Sequence, residues 1–538
     1  MGSMETHTSP PKAVFTPALA RIVATVSVGF VVTQLDVTIV NIALARIATD
    51  LGTAVDGLQW IVDAYTLAFA VLMLSAGVLG DRLGARRMFA SGIALFALAS
   101  LACALATNST TLVAARALQG VGAAAMLPNS LSLLNHACAH DPKLRARAVG
   151  LWTATGAVSI AAGPVLGGLL IAAFGWRSIF FVNLPICAAG LLATMRWIPR
   201  EDADRESLHD VARHAAARTH AHAGLQTDAE SNARSNAQSN RAEAHDKASA
   251  PVPRELARGI DLPGQALAII ALTAFTGAAI EMRPLGLANP FVWGGFALAV
   301  LATLAFVAIE SRVATPMLPL KLFRIRTFSA AVLFGVCVNL TYYGMVFVLS
   351  LFLQRVRGYS PLGAGLAFLP LTGGFLISNL ASGPVIARFG ARVPMVLGGI
   401  TGTIGYALLL HVDASTSLPG MLIAFLLIPS GMGLAVPAMT TAILASVEKQ
   451  RAGTASAVLN TARQAGGALG VAAFGALVGG SAPEHVVEGL HIATTVCVIL
   501  LATAAVLGCL VHPEPHARGE NARKHTPSHP ETARNPLR

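Results

Sequence analysis

The stretch Leu35-Asp36-Val37-Thr38-Ile39-Val40-Asn41 places one carboxyl group inside the first long apolar segment of the chain. A segment of about 20 apolar residues crosses the roughly 30 Å hydrocarbon core of a bilayer as a helix. An ionisable residue there costs about 2.5–3.5 kcal/mol on insertion scales, and such residues usually serve a function. The stretch therefore predicts a membrane helix that carries chemistry.

The composition of the whole chain is that of a membrane protein. Of its 538 residues, 54% are hydrophobic and 12% are charged, and the mean hydropathy is +0.64. Water-soluble proteins of this length are far more polar. The apolar runs show no alternation of polar and apolar positions, which a transmembrane β-barrel requires. We therefore expect an all-α membrane protein.

About fourteen apolar runs are long enough to cross a membrane as helices. They lie near residues 18–42, 60–80, 88–107, 111–134, 147–173, 177–198, 262–282, 290–310, 328–353, 361–386, 393–411, 419–445, 453–479 and 488–511. Gly, Ala and Ser are frequent in them, as expected where helices pack closely in lipid.

Basic residues predict the orientation of these helices. Lys and Arg gather after the even-numbered helices, at 81–87, 143–147, 321–326, 388–392 and 449–451. Such loops stay in the cytoplasm, so both termini are predicted to be cytoplasmic and the protein to span a bacterial inner membrane. The net charge of +11 then reflects topology and the anionic lipid surface, and it requires no nucleic-acid partner.

The two halves of the chain repeat each other. The loop after helix two, 79–86, aligns with 385–392, and Gly120-Val121-Gly122 recurs as Gly431-Met432-Gly433. Parallel repeats of six helices are typical of transporters. The predicted organisation is a cytoplasmic tail (1–17), a six-helix bundle (18–198), a disordered cytoplasmic linker (199–260), two additional membrane helices (261–311), a second six-helix bundle (312–511) and a disordered tail (512–538).

No pattern in the chain indicates an enzyme or a metalloprotein. The phosphate-binding Gly-x-x-x-x-Gly-Lys-Ser/Thr, the zinc-binding His-Glu-x-x-His and the Gly-x-Ser-x-Gly nucleophile elbow are absent. The linker histidines are irregularly spaced, which favours a solvated linker over a metal site. We expect no catalytic residue, no metal and no cofactor, and an ion gradient as the energy source.

Three charged residues within the predicted helices are the candidate coupling groups: Asp36, Asp63 and Arg116. Counted from an outer loop predicted near Arg46, Asp36 is about 15 Å deep, whereas the other two are one or two turns in. A carboxyl group in a low-dielectric cavity can exchange a proton for a cationic substrate. The alternatives are a structural ion pair with Arg116 and, for Asp63, a hydrated carboxylate near the interface.

Helical periodicity divides the polar residues of helix one between two faces. Gln34, Thr38 and Asn41 share one face, and Asp36 points the opposite way. Either Asp36 faces the transport cavity while the other three hold a neighbouring helix, or the reverse. The sequence leaves this choice open.

Helix two carries a possible site for organic cations. Trp60, Asp63 and Thr66 fall on one side of it, which combines an aromatic face with a carboxylate. The alternative is that Trp60 anchors the helix at the membrane surface.

Two glycine-containing motifs are candidate moving parts. The loop after helix two is a candidate latch between the halves or simply a topogenic charge cluster: Gly77, Gly80, Asp81, Arg82, Gly84, Arg86 and Arg87. Helix five has residues that suit a hinge or gate, or close packing without motion: Gly156, Gly163, Pro164, Gly167 and Gly168.

Five stretches in order resemble the motifs of the major facilitator superfamily. They are 35–41, 77–87, Arg116-Ala117-Leu118-Gln119-Gly120-Val121-Gly122, Gly163-Pro164-Val165-Leu166-Gly167-Gly168 and 176–185. The resemblance is closest to the fourteen-helix drug:proton antiporter branch, the QacA/EmrB-like multidrug exporters. It implies that two six-helix bundles rock about a substrate site, and that Arg116 and Gln119 belong to a proton relay. The later helices lack the central acid that branch members for divalent cations carry.

The leading hypothesis is a proton-coupled exporter of lipophilic, cationic compounds that works by alternating access as a monomer. In it, protonation of Asp36 from outside releases the compound, although the sequence does not decide between Asp36 and Asp63 as the coupling site. Its partners are then small molecules, protons and the bilayer. Two alternatives remain: a dedicated exporter of one metabolite or antibiotic, and a membrane sensor or scaffold that has lost transport.

Overall fold

Every regular element in the described residues is helical. The structure is a computed structural model and describes residues 15–138, 141–199, 261–313, 316, 318–448, 451–479 and 483–512. Nearly all of the predicted linker and most of the two predicted tails lie outside these residues. The domain boundaries given above therefore stay predictions.

The described residues of the first half of the chain form seven helices. They are α1 Pro17–Leu51, α2 Val55–Leu83, α3 Ala85–Ala104, α4 Ser109–Ala137, α5 Pro142–Phe174, α6 Ser178–Phe181 and α7 Asn183–Trp197. A second set follows residue 260: α8 Leu262–Leu285, α9 Pro290–Glu310, α10 Arg326–Leu351, α11 Pro361–Ala367, α12 Leu369–Phe389, α13 Arg392–Leu409, α14 Leu418–Ser446, α15 Ala452–Val478 and α16 Pro483–Cys509. A 3₁₀ turn, Leu320–Arg324, precedes α10, and a π-helical turn, Phe352–Val356, ends it.

The helices in the described residues form fourteen membrane-spanning units. Thirteen are both long and apolar enough to cross a bilayer, with α6 and α7 forming one unit and α11 and α12 another. The remaining helix, α15, has 27 residues but contains Asn460, Arg463 and Gln464, which lower its hydropathy. The predicted all-α membrane fold is confirmed, with two six-helix bundles related by a pseudo-twofold axis and two additional helices.

Helix α1 is longer than the apolar run that predicted it. It continues past the expected loop near Arg46 to Leu51, and ends at Gly52, whose φ of 61° is a left-handed cap. An Arg46–Asp50 ion pair of 3.5 Å supports this polar extension. Asp36 is thus 15 residues, about 22 Å, from the end of the helix. Hydropathy detects only the apolar part of a helix, so it missed the polar end of α1.

The repeated loop glycines meet the same backbone requirement in both halves. Gly84 has a φ of 97° and Gly390 a φ of 73°, values that favour glycine. Each donates its backbone N–H to the carbonyl four residues earlier, at 2.9 Å to Gly80 and 2.8 Å to Ile386. The repeat seen in the sequence therefore corresponds to a repeated helix end.

Helices α1–α7 form the first bundle and α10–α16 the second. We call the end of the molecule that carries Leu51 the outer end, following the predicted orientation. The bundles meet where α2 packs on α15 and where α5 packs on α11 and α12. Helix α8 packs against both α2 and α15, and α9 packs on α8. The additional pair thus borders one of the two seams between the bundles.

Candidate functional site

The two central charges of the first bundle form a buried ion pair. A guanidinium Nη of Arg116 donates to the Asp36 carboxylate, and both side chains are almost fully buried. The Arg116 Nε donates to the carbonyl of Ile61 at 3.0 Å. The Tyr65 ring lies below the guanidinium, 4.4 Å from its Cζ. Breaking such a pair costs about 3–5 kcal/mol, because it leaves an uncompensated charge.

Neutral polar groups complete the shell around Asp36. Gln119 donates to Asp36 Oδ1 at 2.8 Å and accepts from Arg116 at 2.7 Å. Asn183 donates to the same Oδ1 at 3.3 Å. The Ser100 hydroxyl accepts from both amides, at 2.9 and 3.3 Å. The Asp36 carboxylate on α1 therefore accepts hydrogen bonds from α4 and α7, both in the first bundle.

This geometry decides between the two faces of α1. Asp36 points into its own bundle. Thr38 and Asn41 point the other way and line a small pocket between the bundles, beside Tyr342 and Phe368. Gln34 is half-buried, and its backbone carbonyl accepts from the Thr38 hydroxyl at 3.2 Å. The polar residues of α1 that face the second bundle are thus Thr38 and Asn41.

Asp63 is a buried carboxyl group without a hydrogen-bond partner. Its side chain is fully buried, and neither of its oxygens has a partner in the described residues. Desolvating an unpaired carboxylate costs several kcal/mol, so this site accommodates the neutral acid. The alternative of a hydrated carboxylate requires Asp63 to be exposed near the membrane surface. The structure buries it instead.

The neighbours of Asp63 on α2 join that helix to other parts of the molecule. One turn away, Gln59 donates to the carbonyls of Val471 and Ala472 in α15, at 3.2 and 2.7 Å. Trp60 donates its indole N–H to Glu281 of α8 at 3.2 Å. The structure therefore places Trp60 against the additional pair, while Gln59 closes the outer part of the seam.

Thr66, the third residue of the predicted cation site, makes a local contact. Its hydroxyl donates to the carbonyl of Val62 at 3.1 Å, within α2. The structure thus does not bring Trp60, Asp63 and Thr66 together around one open cavity.

The loop motif after α2 combines close packing with exposed charge. Asn129 of α4 occupies the space beside Gly80, and Pro128 lies 3.6 Å from where a Gly77 Cβ would be. Arg86 donates to the carbonyl of Met195 at 3.1 Å. Three other charged members are exposed: Asp81, Arg82 and Arg87. The glycines thus allow α2 to approach α4 closely.

The small residues of α5 face two different partners. Gly156 packs on the Phe30 ring, and Gly163 and Gly167 pack on α1 at Thr38 and Ile39. Gly168 lies against α11, where its Cβ would come within 2.9 Å of the Pro361 carbonyl.

Pro164 also contacts the second bundle, through the backbone of Gly365. The motif therefore places backbone against backbone at the seam between the bundles.

Sequence reasoning missed several residues of these clusters. Ser100 and Tyr65 carry no charge, and hydroxyls within apolar helices are common. In the second bundle, Arg463 donates its Nε to Asn339 at 3.2 Å. Arg463 lies in the middle of a long apolar segment, and this position could have identified it as a candidate from the sequence.

Comparison with known proteins identifies the family. The model of the Major Facilitator Superfamily matches residues 26–471. The chain is 35% identical over 462 residues to the methylenomycin A resistance protein of Streptomyces coelicolor, covering 86% of each chain. It is 34% identical over 460 residues to the multidrug resistance protein Stp of Mycobacterium tuberculosis, covering 86% of this chain and 76% of that protein.

Other matches agree. The puromycin resistance protein pur8 of Streptomyces alboniger is 33% identical over 517 residues, with 92% of each chain covered. The crystal structure of the human organic anion transporter MFSD10 (TETRAN) superposes with a TM-score of 0.55 over 92% of this chain, at 15% identity, which supports the fold alone. The chain belongs to the Major Facilitator Superfamily of transporters, with relatives named for resistance to drugs and antibiotics.

Proposed function

We propose that the protein is a proton-coupled exporter that moves lipophilic compounds across a bacterial inner membrane by alternating access. One observation carries the proposal: Asp63 is buried without a partner on α2, the helix that Gln59 joins to the second bundle. Such a carboxyl group is neutral while the seam is closed. It can release its proton when movement of the bundles admits water.

Asp63 is therefore the proton carrier in this proposal, and Asp36 has another role. The carboxylate of Asp36 already has Arg116 as its counter-charge and amide donors around it. This ionised network holds α1, α4 and α7 together. Because Thr38 lies on the opposite face of the same helix, the network also positions one wall of the substrate pocket.

The energy source in this scheme is the proton gradient, without a cofactor or metal. Among the described residues there is no group of three or more His, Cys, Asp or Glu side chains that could hold a metal ion. Each net positive charge that moves inward contributes about 2.3 kcal/mol per 100 mV of membrane potential. One chain contains both bundles, so we take the monomer as the functional unit, with both termini in the cytoplasm.

The substrate range is a further part of the proposal. Among the relatives, one is named for multidrug resistance and others for a single antibiotic. We expect several lipophilic compounds to compete for the pocket beside Thr38. The cationic substrate expected from Trp60 and Asp63 stays a prediction.

The test compares two transport modes in proteoliposomes. Asp63→Asn, which imitates the neutral acid, should abolish uptake driven by a pH gradient but retain exchange of labelled for unlabelled substrate. A matched control is Asp56→Asn, in the first turn of the same helix, which should behave as the native protein. Gradient-driven accumulation by Asp63→Asn at the native rate would refute this role.

Absence of a pH-driven flux in the native protein with every compound of a chemically diverse panel would refute the proposed function.

A further inference from the structure

The most polar membrane helix of the second bundle has an arginine near its middle. Arg463 lies 11 residues after Ala452 and 15 before Val478 in α15. These separations correspond to about 16 and 22 Å along the helix axis. The side chain is half-buried. Intramembrane charges of this kind commonly mark a substrate pathway.

Among the described residues, Arg463 has a neutral partner and no counter-charge. Its Nε donates to Asn339 Oδ1 of α10, at 3.2 Å. The structure gives it no carboxylate partner and no second acceptor among the residues it describes. A guanidinium has five N–H donors. Most of its hydrogen-bonding capacity is therefore available to a ligand.

The position of Arg463 is set by close packing of α10 on α15. A Cβ on Gly335 would lie 3.1 Å from the Arg463 Cγ, so the aliphatic part of the side chain crosses α10 at a glycine. Asn339 lies one turn further along α10 and is itself 2% exposed. Contacts with α10 thus position the Cγ and the Nε of Arg463.

This charge adjoins the apolar pocket between the bundles. Tyr343 lies one turn after Asn339 on α10 and packs on Gly467, one turn after Arg463 on α15, where a Cβ would come within 2.9 Å of its ring. The same tyrosine lines the pocket together with Tyr342 and Phe368. The pocket is too small in this structure for a drug-sized compound. A ligand that enters once the bundles move apart would have aromatic rings on its body and a positive charge beside it.

We propose that Arg463 and Asn339 form a subsite for an anionic oxygen of the transported compound, a carboxylate or an ionised phenol. The lipophilic body of the substrate then packs against Tyr343 and Phe368. Planar anions suit a guanidinium because two N–H groups can bind two oxygens. The inference rests on the proposed export function and names its substrate class. It differs from the cationic class predicted from the sequence, whose carboxyl, Asp63, is sealed.

Direct binding to the purified protein tests the subsite without transport. The probes are fluorescein, an anion, and rhodamine 123, a cation with the same xanthene ring system, followed by fluorescence anisotropy in detergent. Arg463→Gln should weaken fluorescein binding about tenfold or more, as expected for the loss of a charged hydrogen bond. Rhodamine 123 binding should be unchanged or tighter, and Arg463→Lys should retain part of the fluorescein affinity.

Arg355→Gln provides the matched control. It removes another half-buried arginine, from the π-helical turn at the outer end of α10, and should leave both affinities unchanged. Equal loss of both dyes in Arg463→Gln would overturn the proposal, because it would indicate a structural role. Native protein that binds fluorescein no better than Arg463→Gln would overturn it as well.

Transport of the same dyes separates this inference from the proposed function. If fluorescein binding depends on Arg463 but a pH gradient drives neither dye nor any other compound of the panel, the subsite stands and the exporter proposal fails. If rhodamine 123 is transported with protons and fluorescein is neither bound nor moved, the exporter stands and the anionic subsite is refuted.

Discussion

The arginines near the middle of the two bundles have different partners. In the first, Arg116 and Asp36 are paired, and Gln119 and Asn183 bind the same carboxylate. In the second, Arg463 has one hydrogen bond, to a neutral amide, and no carboxylate partner in the described part of the chain. A closed network stabilises a bundle, whereas an arginine with free donors suits a ligand. The difference fits a structural role for Arg116 and a ligand-binding role for Arg463.

The helical scaffold is nevertheless shared. Gly120 of α4 lies against α2, and Gly122 lies against α3. In the second bundle, Gly431 of α14 lies against α13, and Gly433 lies against α12. In each half the fourth helix therefore contacts the second and third through paired glycines. The asymmetry lies in the polar side chains that the scaffold carries.

Breaking the ion pair of the first bundle should produce the largest effect. Asp36→Asn leaves the Arg116 guanidinium buried without its counter-charge, and we expect the free energy of unfolding to fall by about 3–5 kcal/mol. The double variant with Arg116→Gln should recover part of this loss. SDS-induced unfolding in mixed micelles, followed by tryptophan fluorescence, measures the coupling as a double-mutant cycle.

Glu448→Gln is the control for this cycle. It breaks the Arg451–Glu448 pair, whose side chains are 55% and 74% exposed, and should change the free energy of unfolding by less than about 1 kcal/mol. A coupling energy between Asp36 and Arg116 no larger than the change caused by Glu448→Gln would remove the contrast between the bundles.

A smaller effect is expected from the shared glycines, and it should be similar in the two bundles. Alanine at Gly122 would place a Cβ 2.8 Å from the Phe96 amide nitrogen, and alanine at Gly431 would place one 2.8 Å from that of Gly402. Each should lower the free energy of unfolding by about 1–3 kcal/mol through overpacking. Gly150→Ala, whose Cβ would have no described residue within 4 Å, should leave the free energy of unfolding unchanged or raise it by up to about 1 kcal/mol.

The same unfolding assay reports on these glycine variants. A loss confined to one bundle would show that the glycine repeat does not have the same role in both halves.

The smallest effect on stability should come from Arg463. Replacing it with methionine removes a charge that has no counter-charge, so we expect a free energy of unfolding within about 1 kcal/mol of the native value, or above it. Arg116→Met, which leaves Asp36 buried without its counter-charge, should be strongly destabilising in the same assay. If Arg463→Met were as destabilising as Arg116→Met, Arg463 would be a structural residue like Arg116.

Most of the architecture could be predicted from the sequence, because lipid imposes a simple rule. Long apolar runs become helices, and thirteen of the fourteen expected spans satisfy that rule in the described residues. Ends were less predictable: α1 runs on to Leu51 through polar residues. Two spans that looked continuous are each built from two helices, as at Ser178–Phe181 and Asn183–Trp197. Such interruptions depend on packing between helices, which hydropathy does not report.

The candidate site was predictable as a set of residue types but not as an arrangement. Asp36 and Arg116 stood out because charge is rare in apolar helices. Their pairing was one alternative among others. Ser100, neutral and small, gave no such signal, although its hydroxyl accepts hydrogen bonds from Gln119 and Asn183.

The class of protein, the number of spans, the internal repeat and the rare intramembrane charges were predictable from the sequence, since each depends on local composition or spacing. Tertiary structure alone decided that Asp36 points into its bundle while Thr38 faces the other, and that Asp63 is sealed. It also placed Arg463 beside Asn339. These are contacts between residues tens to more than a hundred positions apart. Such contacts form only when helices pack, and the period of one helix does not specify which neighbour it meets.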